Sequence, residues 1–123
     1  MLFRSHSSQA LGDGYEKATG RQWNQQIGAS MALLDAGMAT LVASGNPKSK
    51  AEVAKAMSTL KVVTPVGPID FTKGPVPNVS ATPIIGSQWV KAASGKFKLA
   101  LPLTENADDP SVPIGAQLVP YNS

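Results

Sequence analysis

The sequence of 123 residues predicts a mixed α/β chain, with three helices in front and short strands with a β-hairpin behind. Three observations carry that expectation. All ten prolines lie at or after Pro47, and proline breaks helix interiors, so the front half is free to be helical. Apolar residues recur at helical steps as far as Leu60, then change to alternation beyond Lys61. Hydrophobic residues make up 42% of the chain, close to ordinary globular usage, which argues against gross disorder. The length suits one modest domain, with a helical part over about 7–61 and a strand and loop part over about 62–123.

Ser7 or Ser8 caps a first helix that presents Leu11, Tyr15 and Ala18, and Gly20 stops it. Gly12 and Gly14 weaken it by about 1 kcal/mol each relative to alanine, so it depends on packing. A second helix follows from Ile27, Met31, Leu34, Met38 and Leu41, spaced alternately by four and three. Small residues cover most of its remaining surface, and Asp35 is its only charge. A helix apolar nearly all round belongs in a protein interior or a membrane. A carboxylate in mid-segment costs roughly 3 kcal/mol on an insertion scale, so the expectation is a buried, closely packed helix and no membrane insertion. Gly45-Asn46-Pro47 ends it. Ser49 and Glu52 then form a capping box for a third helix with Val53, Met57 and Leu60, and Lys61 falls in its last turn.

Beyond Lys61, Ile69 and Phe71 flank Asp70 in a half-buried alternation that predicts a strand. Gly74-Pro75-Val76-Pro77-Asn78 is a stiff connection. A strand is expected over Ile84 to Val90 and a turn over Ala93-Ser94-Gly95-Lys96. Phe97, Leu99, Leu101 and Leu103 then give a hairpin partner with one buried side. From Glu105 onward, Asp108-Asp109-Pro110 and further prolines predict a surface-hugging tail. Gly67 and Gly86 are expected at turn or bulge positions.

Chemistry is sparsely represented. With no cysteine, disulfides, thiolate catalysis and Cys-based zinc sites are excluded. The net charge of +3 comes from scattered basic residues with no run, which argues against a nucleic-acid partner. His6 is the only histidine and lies in a Ser-rich terminus, so neither a transition-metal site nor a histidine-based triad is expected. Asp108 and Asp109 stand side by side before a proline and read as a turn signal rather than a catalytic pair. Asp35 reads as a solvated or locally bonded acid, against the sharper alternative of a carboxylate meeting a ligand ammonium. Trp23 and Trp89 read as packing anchors rather than ligand platforms. No cofactor is implied, and the chain reads as non-catalytic.

The order of blocks carries a further likeness. Tyr15-Glu16-Lys17-Ala18-Thr19-Gly20 with Trp23, an Ala-rich helix and a capped helix come first. Val66-Gly67-Pro68-Ile69-Asp70-Phe71 and Pro83-Ile84-Ile85-Gly86-Ser87-Gln88-Trp89 follow. This succession, from about Ser7 to Pro120, resembles the carboxy-terminal portion of a type I periplasmic substrate-binding protein of ABC importers, in the leucine-binding-protein-like, branched-chain amino-acid receptor group.

The resemblance implies a fragment of a bilobed fold in which two α/β lobes close on a small amino-acid-like solute. It implies amino-acid transport without catalysis, delivery to an ABC permease, and a periplasmic location. No signal peptide is visible, because Met1-Leu2-Phe3-Arg4 leads directly into polar Ser5-His6-Ser7-Ser8; in a fragment, a signal would lie on a preceding part. The cleft-lining stretch carried over is Gln26-Ile27-Gly28-Ala29, where relatives place an aromatic that Gly28-Ala29 replaces. The strands that form each lobe's sheet are missing from the matched blocks, which predicts exposed apolar surface and self-association or a partner chain. The alternative is a small stand-alone interaction module that oligomerises through its apolar helix and binds no solute.

Overall fold

The computed structural model of the protein describes residues 7–121. Three helices come first, α1 (Ser8–Thr19), α2 (Gln25–Ala43) and α3 (Lys50–Ser58). Six short strands follow: β1 (Lys61–Thr64), β2 (Gly67–Asp70), β3 (Gly86–Ser87), β4 (Val90–Lys91), β5 (Leu99–Ala100) and β6 (Leu103–Glu105). The mixed α/β class and the order of helices before antiparallel strands are as expected. Backbone contacts divide the chain into two compact units, Met1–Thr82 and Pro83–Ser123.

The helix ends of the first unit are set by local chemistry. Ser7 Oγ accepts the Ala10 N–H at 3.2 Å. At the other end Gly20, at φ 71°, donates its N–H to Glu16 O, a left-handed stop that glycine adopts without Cβ strain. Asn24 Oδ1 caps α2 by accepting from Ile27 N–H. Ser49 Oγ accepts the Glu52 N–H at the start of α3. The link between α1 and α2 folds back because Glu16 Oε1 accepts the Trp23 N–H at 2.9 Å. Trp23 then meets Tyr15 edge-on, with ring centroids 5.9 Å apart. Its indole also lies over both Gly12 and Gly28, where added Cβ atoms would touch it at 3.4 Å. The helix-weakening glycine of α1 thus makes room for a tryptophan.

α2 departs from expectation. It is not a buried helix. Gly28, Ala32, Ala36 and Thr40, at steps of four, form its buried or half-buried face. Leu33 (75% exposed), Leu34 (61%), Met38, Leu41 and Val42 (61%) face outward. The physical reason lies in the size of its neighbours. α2 packs on α3 and β1, elements of nine and four residues, which cover only a narrow stripe. Small side chains let those backbones approach; Ile27 and Met31 are half-buried, and the bulky residues from Leu33 onward are left without a surface to cover. Ala32 (2% exposed) and Leu60 (6%) are the buried hydrophobic residues among those described. The core is thin.

A second correction concerns Lys61. α3 ends at Ser58, and Thr59 at φ −117°, ψ 11° turns the chain out of the helix, so Lys61 opens β1 instead of closing α3. β1 and β2 pair antiparallel, with Lys61 opposite Asp70 and Thr64 opposite Gly67. Gly67 at φ 101° supplies the positive dihedral that follows the Pro65-Val66 turn. Thr64 Oγ1 donates to Gly67 O at 2.9 Å and locks that turn. Phe71 N–H donates to Leu60 O, extending the ladder by one step.

In the second unit the expected hairpin exists in interrupted form. β3 pairs with β6 and β4 with β5, both antiparallel. The strand expected over Ile84 to Val90 is therefore two pieces, β3 and β4, and its partner is likewise split. The ladder shifts register between Gly86 and Ser87. Gln88 N–H donates to Pro102 O, a bond proline cannot return because it has no N–H. Gly86 stands at the bulge, where a Cβ would come within 2.7 Å of Glu105 Cβ. The hairpin does not have one buried side: Leu99 is 49% exposed, while Phe97, Leu101 and Leu103 are half-buried. Among the described residues of this unit the buried one is polar, Gln88. The tail runs over the surface as expected, held by Gly115 and Ala116 N–H groups donating to Leu103 O.

Candidate functional site

The stretch that the resemblance marks as cleft-lining forms the first turn of α2. Gln26 and Ala29 are exposed, Ile27 is half-buried and Gly28 is buried. The Ile27 N–H is accepted by both the carbonyl and the side chain of Asn24, and the Gly28 N–H points to the same carbonyl. Gly28 lies beneath the Trp23 ring, so its missing side chain serves packing between α1 and α2. What this turn offers outward is the Gln26 amide and the Ala29 methyl.

Polar groups of the first unit converge more closely at Asp70. Its Oδ1 accepts from Thr72 Oγ1 at 2.5 Å and from Thr72 N–H at 2.9 Å. Its Oδ2 lies 3.3 Å from Lys61 Nζ. The Thr72 hydroxyl bond does most to hold the Asp70 carboxyl below its ordinary range; burial opposes this, and the Thr72 N–H and Lys61 add to the lowering. The Asp70 backbone N–H donates to Ser80 Oγ at 3.0 Å. A shallow recess of about 300 Å³ is lined by Pro68, Asp70, Lys73, Ser80 and Ala81. A second, open hollow of about 580 Å³ lies along Ser58, Phe71, Thr72 and the 74–78 loop. Neither encloses a solute, and the Asp70 carboxylate is already bonded on both oxygens. The sequence reading missed this cluster; its signal is the register that sets Lys61 against Asp70 and the Asp-x-Thr spacing of an Asx turn.

Several of the remaining candidates have structural roles. His6 lies outside the described residues. Asp35 is half-buried in mid-α2. Asp109 Oδ1 accepts from both Ser111 N–H and Ser111 Oγ, a local turn, while Asp108 Oδ2 accepts the Ile84 N–H across the unit. Among the described residues no group of three or more His, Asp or Glu side chains is placed to hold a metal ion. Trp23 is a packing anchor, and Trp89 is 39% exposed. α2 is the one described helix long and apolar enough, by length and composition, to cross a membrane, and 17% of that span is buried.

No family model, curated protein or solved structure matches the chain.

Proposed function

We propose that this chain is a carboxy-terminal portion of a solute-binding receptor of an ABC importer, whose parent captures a small amino-acid-like solute and passes it to a permease without chemistry. The order of blocks from Tyr15 to Trp89 supports the reading. The observation that carries it is the outward face of α2. Leu33, Leu34, Met38, Leu41 and Val42 together make a broad, exposed apolar arc, and contiguous patches of that kind mark surfaces that are covered in the working molecule. In a two-lobed receptor a sheet would cover it. The first turn of α2, with Gln26 and Ala29 outward, would then border the cleft, contributing a polar group and a small apolar contact rather than a full site.

The test compares the chain as it stands with the same chain extended by its contiguous upstream coding sequence. The extended protein is expected to be monomeric and to bind an aliphatic amino acid in calorimetric titration. The chain alone is expected to bind none and to associate through α2. Tight binding by the isolated monomer, or no binding by the extended protein, overturns the reading. A discrete oligomer formed with and without the extension, and indifferent to solute, would favour the interaction module instead. The same α2 face supports that second reading.

A further inference from the structure

The tip of the β4–β5 hairpin combines two properties found together nowhere else in the second unit. The first is unbalanced charge. From Gly86 to Thr104 the sequence carries Lys91, Lys96 and Lys98 and no carboxylate. The acids of the second unit lie at the other end of the ladder. Glu105 is paired with Gly86, Asp108 is bonded to the Ile84 N–H, and Asp109 is turned onto Ser111. The three lysines are exposed, and none has an ion pair among the described residues.

The second property is apolar surface on the same hairpin. Lys91 and Leu99 are register partners and share a face. Trp89, just before β4, is exposed like Lys91, while Gln88 and Val90 between and beside them are buried or half-buried. Leu99 and Trp89 are both exposed. Phe97 lies under the Lys96 ammonium, which sits 5.2 Å from the ring centroid. An exposed ammonium is held over a ring by only about 0.5–1 kcal/mol.

We propose that this hairpin tip is a docking surface for an anionic phospholipid membrane, held at the headgroup level by Lys91, Lys96 and Lys98 with Trp89, Phe97 and Leu99 dipping into the interface. Charge complementarity selects an anionic partner. The exposed indole and leucine select one with an apolar layer just beneath its charge, where tryptophan is favoured. An acidic protein or a free phosphate would answer the lysines and leave the apolar face in water. Three lysines near a charged leaflet give weak, reversible and salt-sensitive attachment. The proposal stands on the second unit alone and is independent of solute binding.

The full chain is tested by co-sedimentation with phosphatidylcholine vesicles, with and without a minority of phosphatidylglycerol. Emission of Trp89 is read in a Trp23→Phe background. Binding is expected to the mixed vesicles only, with a blue shift of Trp89, and to fall as salt rises. Each of Lys91→Gln, Lys96→Gln and Lys98→Gln should weaken it by about fivefold, while the matching Lys→Arg variants keep it. Trp89→Ala should weaken binding without changing its salt dependence. Equal binding to uncharged vesicles overturns the proposal, as does binding indifferent to these variants, since the α2 face would then be responsible. Tighter binding to a single-stranded oligonucleotide or to polyglutamate, with the same response of Trp89, overturns it too.

Discussion

Gln88 pairs with Val119 through both halves of its side-chain amide: Nε2 donates to Val119 O at 2.5 Å, and Oε1 accepts the Val119 N–H at 3.0 Å. A buried side chain thus acts as a one-residue strand for the tail. The tail contributes little apolar burial in return, since Ile114, Leu118 and Tyr121 are all exposed. Hydrogen bonds, rather than hydrophobic contact, hold this end of the chain down.

Gln88→Ala is therefore expected to destabilise the second unit by about 1–3 kcal/mol and to raise hydrogen exchange at the Val119 amide. Truncation before Val119 should cost a similar amount, because it strands the Gln88 amide. Since each change removes the same bonds, the double variant should cost much less than the sum of the two. Additive losses in thermal unfolding would show that the pair is not a coupled unit.

Two glycines should respond in opposite directions to alanine. At Gly74 a Cβ would overlap the Val79 carbonyl, so Gly74→Ala must displace the loop backbone, at about 1–3 kcal/mol. At Gly14, inside α1, nothing lies within 4 Å of the added carbon, and Gly14→Ala should stabilise by about 0.5–1 kcal/mol. Denaturant melts of the two variants check both signs.

α2 gives an inverted pattern of tolerance. Ala32→Leu inserts volume at a position only 2% exposed and should cost about 1–3 kcal/mol. Leu34→Gln should stay within about 0.5 kcal/mol while reducing association measured by light scattering. The opposite ranking would mean that the large residues, not the small ones, face the core.

The β1–β2 hairpin should weaken in acid. The fold lowers the Asp70 pKa, chiefly through the Thr72 hydroxyl, so it favours the charged form. The stabilisation is present above the ordinary carboxylate range and is lost as pH falls through the lowered native value. Amide exchange in β1 followed against pH should show that loss, and Asp70→Asn should abolish its pH dependence. A Lys61→Met variant should keep most of the effect, because Thr72 supplies the larger share.

What was legible in the sequence was what is decided locally. Ser7, Gly20 and Ser49 mark helix ends because caps depend on a residue and its near neighbours, and all three hold. The orientation of α2 was not legible. Ile27, Met31, Leu34, Met38 and Leu41 make a convincing stripe, yet which face turns inward depends on what the neighbours can cover. β1 was missed for a different reason: Lys61 reads as the last turn of α3, although Val62, Val63 and Thr64 are β-branched and suit the strand they form with β2. Gly86 is expected at a turn or bulge and stands at one, but the break at Pro102, which has no N–H to return to Gln88, is not encoded in the alternation of Phe97, Leu99, Leu101 and Leu103. Of the candidate site, Gln26 to Ala29 were correctly put at the entry to α2, but Gly28's commitment to Trp23 is a tertiary fact.

The placement of the two indoles has one more consequence. Trp23 belongs to the Met1–Thr82 unit, half-buried against Tyr15 and two glycines, and Trp89 belongs to the Pro83–Ser123 unit, partly in water. Each unit thus owns a single tryptophan in a different environment, beside one tyrosine. Replacing either tryptophan by phenylalanine turns selectively excited tryptophan emission into a private reporter of the other unit. Whether the chain melts as one body or as two can then be read from the coincidence of two curves, without attaching any label.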